Sequence, residues 1–94
     1  MKAELLIDVR IALAEDRFAE ITIWKLPKPV AASRHFYKYR LAYVVDEICA
    51  VRFDNEAGKG DHKHVDEVES PYRFTTPETL VDDFWDVIKA RREG

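Results

Sequence analysis

The spacing of the first apolar residues constrains this chain more than any other feature. Ala3, Leu5, Ile7, Val9, Ile11 and Leu13 fall at every second position, with Glu4, Asp8 and Arg10 among the residues between them. Side chains two apart share one face of an extended strand, whereas a helix would scatter them around its axis. One face is therefore meant for a core and the other for water. The period continues past a turn marked by Glu15 and Asp16: over residues 17–26, Ala19, Ile21 and Ile23 take one side and Phe18, Glu20, Thr22 and Trp24 the other. A connection follows in which Pro27 and Pro29 exclude a central strand, because proline has no N–H for the ladder.

The third run, residues 35–45, divides most sharply. His35, Tyr37, Tyr39, Leu41, Tyr43 and Val45 occupy one face, and Phe36, Lys38, Arg40, Ala42 and Val44 the other. Asp46 and Glu47 make a short connection to a fourth run, residues 48–54. Its inward positions by the same alternation are Cys49, Val51 and Phe53, which leaves Arg52 beside Lys38 and Arg40 on the wet face. Residues 65–74 have no clear period: VDEVES is acidic and unpatterned, and residues 72–74 are a candidate short strand. The end of the chain is helical. Thr76 suits the N-cap and Pro77 the first helical position. Leu80, Val81, Phe84, Trp85, Val87 and Ile88 fall on one arc, with Asp82, Asp83 and Asp86 opposite. Lys89, Arg91 and Arg92 suit the negative end of the helix dipole.

These readings predict an α+β fold: a single domain, residues 1–94, with an antiparallel four- to five-stranded meander and one C-terminal amphipathic helix packed on one face. The strands run over about residues 3–13, 17–26, 35–45 and 48–54, a polar loop over 55–64 and the helix over about 77–92. At this length a chain buries roughly 60% of its unfolded surface, enough for one core. The face without the helix is either simply wet or binds something.

Charge is unevenly distributed. Residues 21–45 contain no acid and carry Lys25, Lys28, Arg34, Lys38 and Arg40, although the whole chain has a net charge of −3. A polyanion responds to the local field, so the basic middle is either a solvated strand face or a nucleic-acid surface. Trp24 and Phe36, if they share the face of Lys38, Arg40 and Arg52, would add the stacking platforms that single-stranded RNA uses. The one cysteine, Cys49, excludes an internal disulfide and reads as a small buried hydrophobe. The longest apolar run is five residues, 41–45, so neither a signal peptide nor a membrane span is visible and a cytoplasmic location is expected.

Residues 54–64, DNEAGKGDHKH, have alanine as their only apolar side chain. Their length exceeds that of a simple hairpin turn, and long loops in small domains are often functional. If residues 62–64 are extended, His62 and His64 point to the same side, roughly 6 to 7 Å apart. Histidine suits both proton transfers of RNA cleavage by the 2′-hydroxyl. Lys59 and Arg40 would bind phosphoryl oxygens, and Gly58 and Gly60 would let backbone N–H groups approach them. Asn55 and Asp61 complete the polar set. Two other readings stand beside this one. A divalent metal could be held by Asp54, Asp61, His62 and His64, with Asp66 also in reach, although Lys59 and Lys63 oppose it. Alternatively, the stretch is an ordinary solvated loop whose Asp54 and Asn55 bond nearby backbone.

RHFYKYRLAYVV at 34–45, RFDNEAGKGDHKH at 52–64 and PYRF followed by an amphipathic helix resemble the TumE-type toxins of bacterial toxin-antitoxin modules over nearly the whole chain. The family's recurrent polar residues correspond here to Tyr37, Lys38, Tyr39, Arg40, Asp54, Asn55, Gly58, Lys59, Gly60, Asp61, His62 and His64. Phe53 stands where the family often has tyrosine, and Lys63 where it often has arginine. The resemblance implies a small cytosolic toxin neutralised by direct contact with an antitoxin that carries a helix-turn-helix DNA-binding domain. Combined with the residue chemistry, it leads to the expectation of a type II toxin acting on RNA by metal-independent acid-base cleavage. In that reading His62, His64, Lys59 and Asp61 are catalytic, and Lys38, Arg40, Arg52, Asn55, Gly58 and Gly60 bind substrate. The alternatives are a toxin that binds RNA or protein without cleaving it, and a plain interaction module.

Overall fold

A computed structural model of the chain describes residues 2–29, 33–55 and 58–93, with only the backbone at 92 and 93. Residues 30–32 of the proline-containing connection, Glu56 and Ala57 of the polar stretch, and the side chain of Arg92 lie outside the described residues. The chain forms β1 (Glu4–Ala14), β2 (Arg17–Lys25), β3 (Tyr37–Val45), β4 (Ile48–Asp54), β5 (His62–Val65), β6 (Val68–Pro71) and α1 (Pro77–Glu93). The strands pair antiparallel in chain order, giving one sheet of six among the described residues.

The expected α+β meander with one helix is thus present, but the sheet has six strands instead of four or five. The difference lies in residues 62–71. VDEVES is not an unpatterned linker: it holds the turn of the β5/β6 hairpin, and β5 takes in the last residues of the polar stretch. Residues 72–74 are not a strand. The hairpin was hard to see because each strand is four residues long and neither face is fully apolar.

Apolar pattern decides which face the helix covers. Leu80, Phe84 and Ile88, spaced by four, pack into one cluster with Ala19, Ile21, Ile23, Tyr39, Leu41, Tyr43, Val51 and Phe53. The Phe84 and Tyr72 rings both meet Phe53 edge-on, at 6.0 and 5.0 Å between centroids, a favoured geometry for aromatic quadrupoles. The helix therefore lies over the tyrosine face, and the face carrying Lys38, Arg40 and Arg52 is open. The predicted cap forms, with the Thr79 N–H donating to Thr76 Oγ1 at 3.1 Å. Two further bonds pin the helix to the chain around β5 and β6. Tyr72 Oη donates to Asp83 at 2.6 Å, and Arg91 bonds Asp66 at 3.0 Å. Asp83 accordingly sits at the margin of the packed surface and is not turned wholly away from it.

Cys49 is exposed, against the expectation of burial. Tyr43 pairs with Val51 but Val44 with Cys49, so Ala50 is a bulged extra residue. One extra residue reverses the alternation beyond it; Ala50 is buried in place of Cys49. At the other end of the sheet, β1 is a long edge strand. Val9 and Ile11 on it remain 40 and 37% exposed, because the main contacts of the helix are with β3 and β4; a register shift between Leu5 and Ile7 sets Leu5 opposite Trp24, on the other face from Ile7 and against the alternation read from the sequence.

Candidate functional site

Register brings the charged residues of β3, β4, β5 and β6 together on the open face. Arg40 is opposite Asp54, Asp54 opposite His62, Arg52 opposite His64, and His64 opposite Glu69. Residues directly opposite in an antiparallel pair share a face, so these side chains form two neighbouring rows on it, Arg40, Asp54 and His62 across β3 to β5 and Arg52, His64 and Glu69 across β4 to β6. Lys38 lies two residues before Arg40 on β3, opposite Trp24. An open depression of about 340 Å³ is lined by Lys38, Tyr39, Arg40, Arg52 and Asp54. A smaller one of about 220 Å³ is lined by Lys59, Asp61, His62, Glu69, Ser70 and Pro71.

His62 and His64 are extended and side by side, their ring centroids 5.9 Å apart. Their surroundings differ. The His62 side chain is only 7% exposed, with Nε2 2.6 Å from Asp54 Oδ1 and Nδ1 3.0 Å from the Gly60 carbonyl. A carbonyl can only accept, so Nδ1 carries a proton and donates it there. His64 is 30% exposed, and its Nε2 is 3.1 Å from Glu69 Oε2. The other Glu69 oxygen lies 4.0 Å from His62 Nε2. Arg52 Nε stands 3.0 Å from Asp54 Oδ2. Asp54 thus has close N···O contacts with both Arg52 and His62 that do not count as hydrogen bonds. Arg52 Nε and Asp54 Oδ1 are consequently buried without an aligned partner among the described residues.

Asp61 points to the opposite side of the sheet. Its carboxylate accepts from Tyr39 Oη at 2.9 Å and meets His35 Nε2 at 2.9 and 3.1 Å. His35 Nδ1 accepts the Tyr37 N–H at 3.1 Å, which leaves the ring proton on Nε2 to donate to Asp61. The His35 ring also stacks on Phe74, 3.9 Å between centroids. Burial, and then the Asp61 carboxylate, push the Tyr39 phenol well above its ordinary value; burial and Asp83 do the same for Tyr72. This cluster fastens the start of β5 to β3.

Asn55 is buried and committed to backbone. Its Oδ1 accepts the Tyr39 N–H at 3.0 Å and its Nδ2 donates to the Tyr37 carbonyl at 2.6 Å. It continues the β3/β4 ladder beyond its last pair, Arg40 with Asp54. Gly58 and Gly60 have φ of 87° and 74°, in the left-handed region where a side chain is strained. Gly60 is buried, Gly58 and Lys59 exposed. Of the residues singled out from sequence, the structure therefore gathers Lys38, Arg40, Arg52, Asp54, His62 and His64 on one face. Lys59 is at its edge, and Asn55 and Asp61 face other groups. Sequence reading missed Glu69 on the near face and His35 behind Asp61. A signal for Glu69 existed: the Asp-Glu dipeptide that turns β3 into β4 recurs at 66–67, and a turn there sets Glu69 across from His64.

Sheet, single backing helix and histidine-bearing cationic face define a small α+β domain with an open charged site. The family model described as Toxin TumE matches residues 2–92, and the chain belongs to that toxin family. Membership of a toxin family points to an antitoxin as partner. No curated protein and no solved structure matches the chain. Among the described residues no helix is long and apolar enough to cross a membrane.

Proposed function

We propose that the chain is the toxin of a type II toxin-antitoxin module and acts on RNA laid across the open face, cleaving it by metal-independent acid-base chemistry. The observation that carries this reading is the grouping of Arg40, Arg52 and His64 on one face of three adjacent strands, with Arg52 directly opposite His64 and Lys38 two residues before Arg40. Cations that hold a phosphodiester are thereby set next to a half-exposed imidazole. Glu69 holds His64 Nε2, which fixes the ring and leaves Nδ1 to take the proton of the attacking 2′-hydroxyl. His62, when it takes up a second proton on Nε2 beside Asp54, is the candidate acid for the leaving 5′-oxygen. Arg40, Arg52 and Lys59 offset charge developing on phosphorus, assisted by backbone N–H groups at Gly58 and Gly60. Trp24 on the same face offers a base-stacking surface. Asn55 and Asp61 act indirectly, by holding the loop and β5 in register.

The deep burial of His62, with both nitrogens engaged, favours a second reading, in which the same face binds RNA and blocks it without cleavage. The partner proposed in either case is an antitoxin with a helix-turn-helix DNA-binding domain. Induced expression with and without the adjacent antitoxin gene tests toxicity. Purified His64→Ala, compared with wild type on RNA in the presence of chelator, tests chemistry. The expectation is a loss of cleavage of 10²-fold or more, about the usual contribution of one acid-base group, with folding and antitoxin binding retained. Undiminished toxicity and cleavage by the variant would sink the catalytic assignment.

A further inference from the structure

We propose that His62, His64, Glu69 and Asp54 form a binding site for one divalent transition-metal ion of the zinc type. Three donor atoms, one each from His62, His64 and Glu69, lie within 4.8 Å of one another. Ligands of a tetrahedral ion with bonds of about 2.0 to 2.2 Å are closer than that. The adjustment falls on Glu69, whose side chain is 50% exposed and free to swing.

Three features distinguish this group from a chance cluster. First, the backbone fixes the tautomer of His62. Nδ1–H donates to the Gly60 carbonyl, the outer-shell bond that metal-ligating histidines make, and it directs the Nε2 lone pair at the other donors. Second, Asp54 Oδ1 stands 2.6 Å from that Nε2 while buried and without an aligned hydrogen-bond partner among the described residues. A nitrogen and a carboxylate oxygen so close call for a positive charge beside them; a metal ion on Nε2 supplies it once Asp54 moves back to the roughly 3.4 Å that separates two ligands of one tetrahedral ion. Third, Arg52 grips the other oxygen, Oδ2, at 3.0 Å, orienting the carboxylate so that Oδ1 remains the donor. Two imidazoles with one or two carboxylates suit Zn²⁺ or Co²⁺ in preference to Mg²⁺ or Ca²⁺, which favour oxygen ligands. Asp61, engaged with His35 and Tyr39, is not part of the set.

The consequence for activity rests on the proposed acid-base reading: the ion would occupy the lone pairs that move protons, so bound Zn²⁺ inhibits cleavage. Binding is tested without RNA, by calorimetric titration and thermal melting of the folded chain with Zn²⁺ and Mg²⁺, and by the visible absorption of Co²⁺ as a coloured stand-in. One Zn²⁺ per chain and a raised melting temperature are expected, with no shift from Mg²⁺. His64→Gln and Glu69→Gln, both at partly exposed positions, should each weaken Zn²⁺ binding at least tenfold while melting like wild type without metal. Zn²⁺ binding to the double variant as tight as to wild type, or no binding to wild type, overturns the site. Because these measurements involve no substrate, a failure of the cleavage hypothesis leaves them intact. Cleavage that required Zn²⁺ would instead uphold the site and overturn the metal-free chemistry.

Discussion

At the scale of single residues, neighbouring polar groups of one loop serve opposite sides of the sheet. His62 and Asp61 are adjacent in sequence, yet His62 faces Asp54 and Asp61 faces His35 and Tyr39. Sequence identified both as functional candidates because it shows residue type; the side on which each lies depends on where β5 begins. Asn55 shows the same limit, since nothing in its identity reveals that its amide completes the β3/β4 ladder. The Tyr39 and Asp61 pair also carries a pH signature. A phenol whose folded-state pKa is raised above its ordinary 10.0 keeps its proton in the folded chain after the unfolded chain has lost it. Its contribution is complete below pH 10.0 and is lost as pH rises further. Urea unfolding at a series of alkaline pH values should therefore show stability falling above that point, less steeply in Tyr39→Phe. Ultraviolet titration should show Tyr39 and Tyr72 resisting ionisation until the chain unfolds.

At the scale of elements, β1 to β4 and α1 were legible because each repeats its period long enough to be read. β5 and β6 were not: HKHV and VESP are too short and too polar to establish an alternation, and their pairing depends on a turn. The bulge at Ala50 escaped for another reason, since an inserted residue changes the phase of a strand without changing its composition. The turn between β3 and β4 leaves room for improvement. Asp46 and Glu47 both have positive φ, 50° and 69°, the requirement of a two-residue hairpin turn that glycine meets best at its second position. Glu47 is exposed. Glu47→Gly should stabilise the chain by about 1 kcal/mol, the order of the left-handed penalty for a residue with a Cβ, as read from the urea midpoint at unchanged slope. A lower midpoint would show that the Glu47 side chain contributes more than its backbone costs.

At the scale of the molecule, the segregation of charge follows from where the helix lies. Both faces of β3 carry bulky residues, so the sequence left open which would be covered; α1 needs an apolar bed and takes the tyrosine face. Lys38, Arg40 and Arg52 are then left together in the open although the chain is acidic overall. Replacing all three with serine should weaken RNA binding and reduce the slope of log K against log salt by roughly 0.7 for each phosphate no longer neutralised, the single-strand value. An unchanged slope in a filter-binding or anisotropy titration would place RNA elsewhere. The off-centre position of the helix has a kinetic counterpart. With its main contacts on β3 and β4, α1 anchors the middle of the sheet, while β1, at the edge, pairs with β2. Cooperative opening should then be graded along the strand order: β1 detaches first and reversibly, and amide protons on β3 and β4 exchange only when the whole chain unfolds.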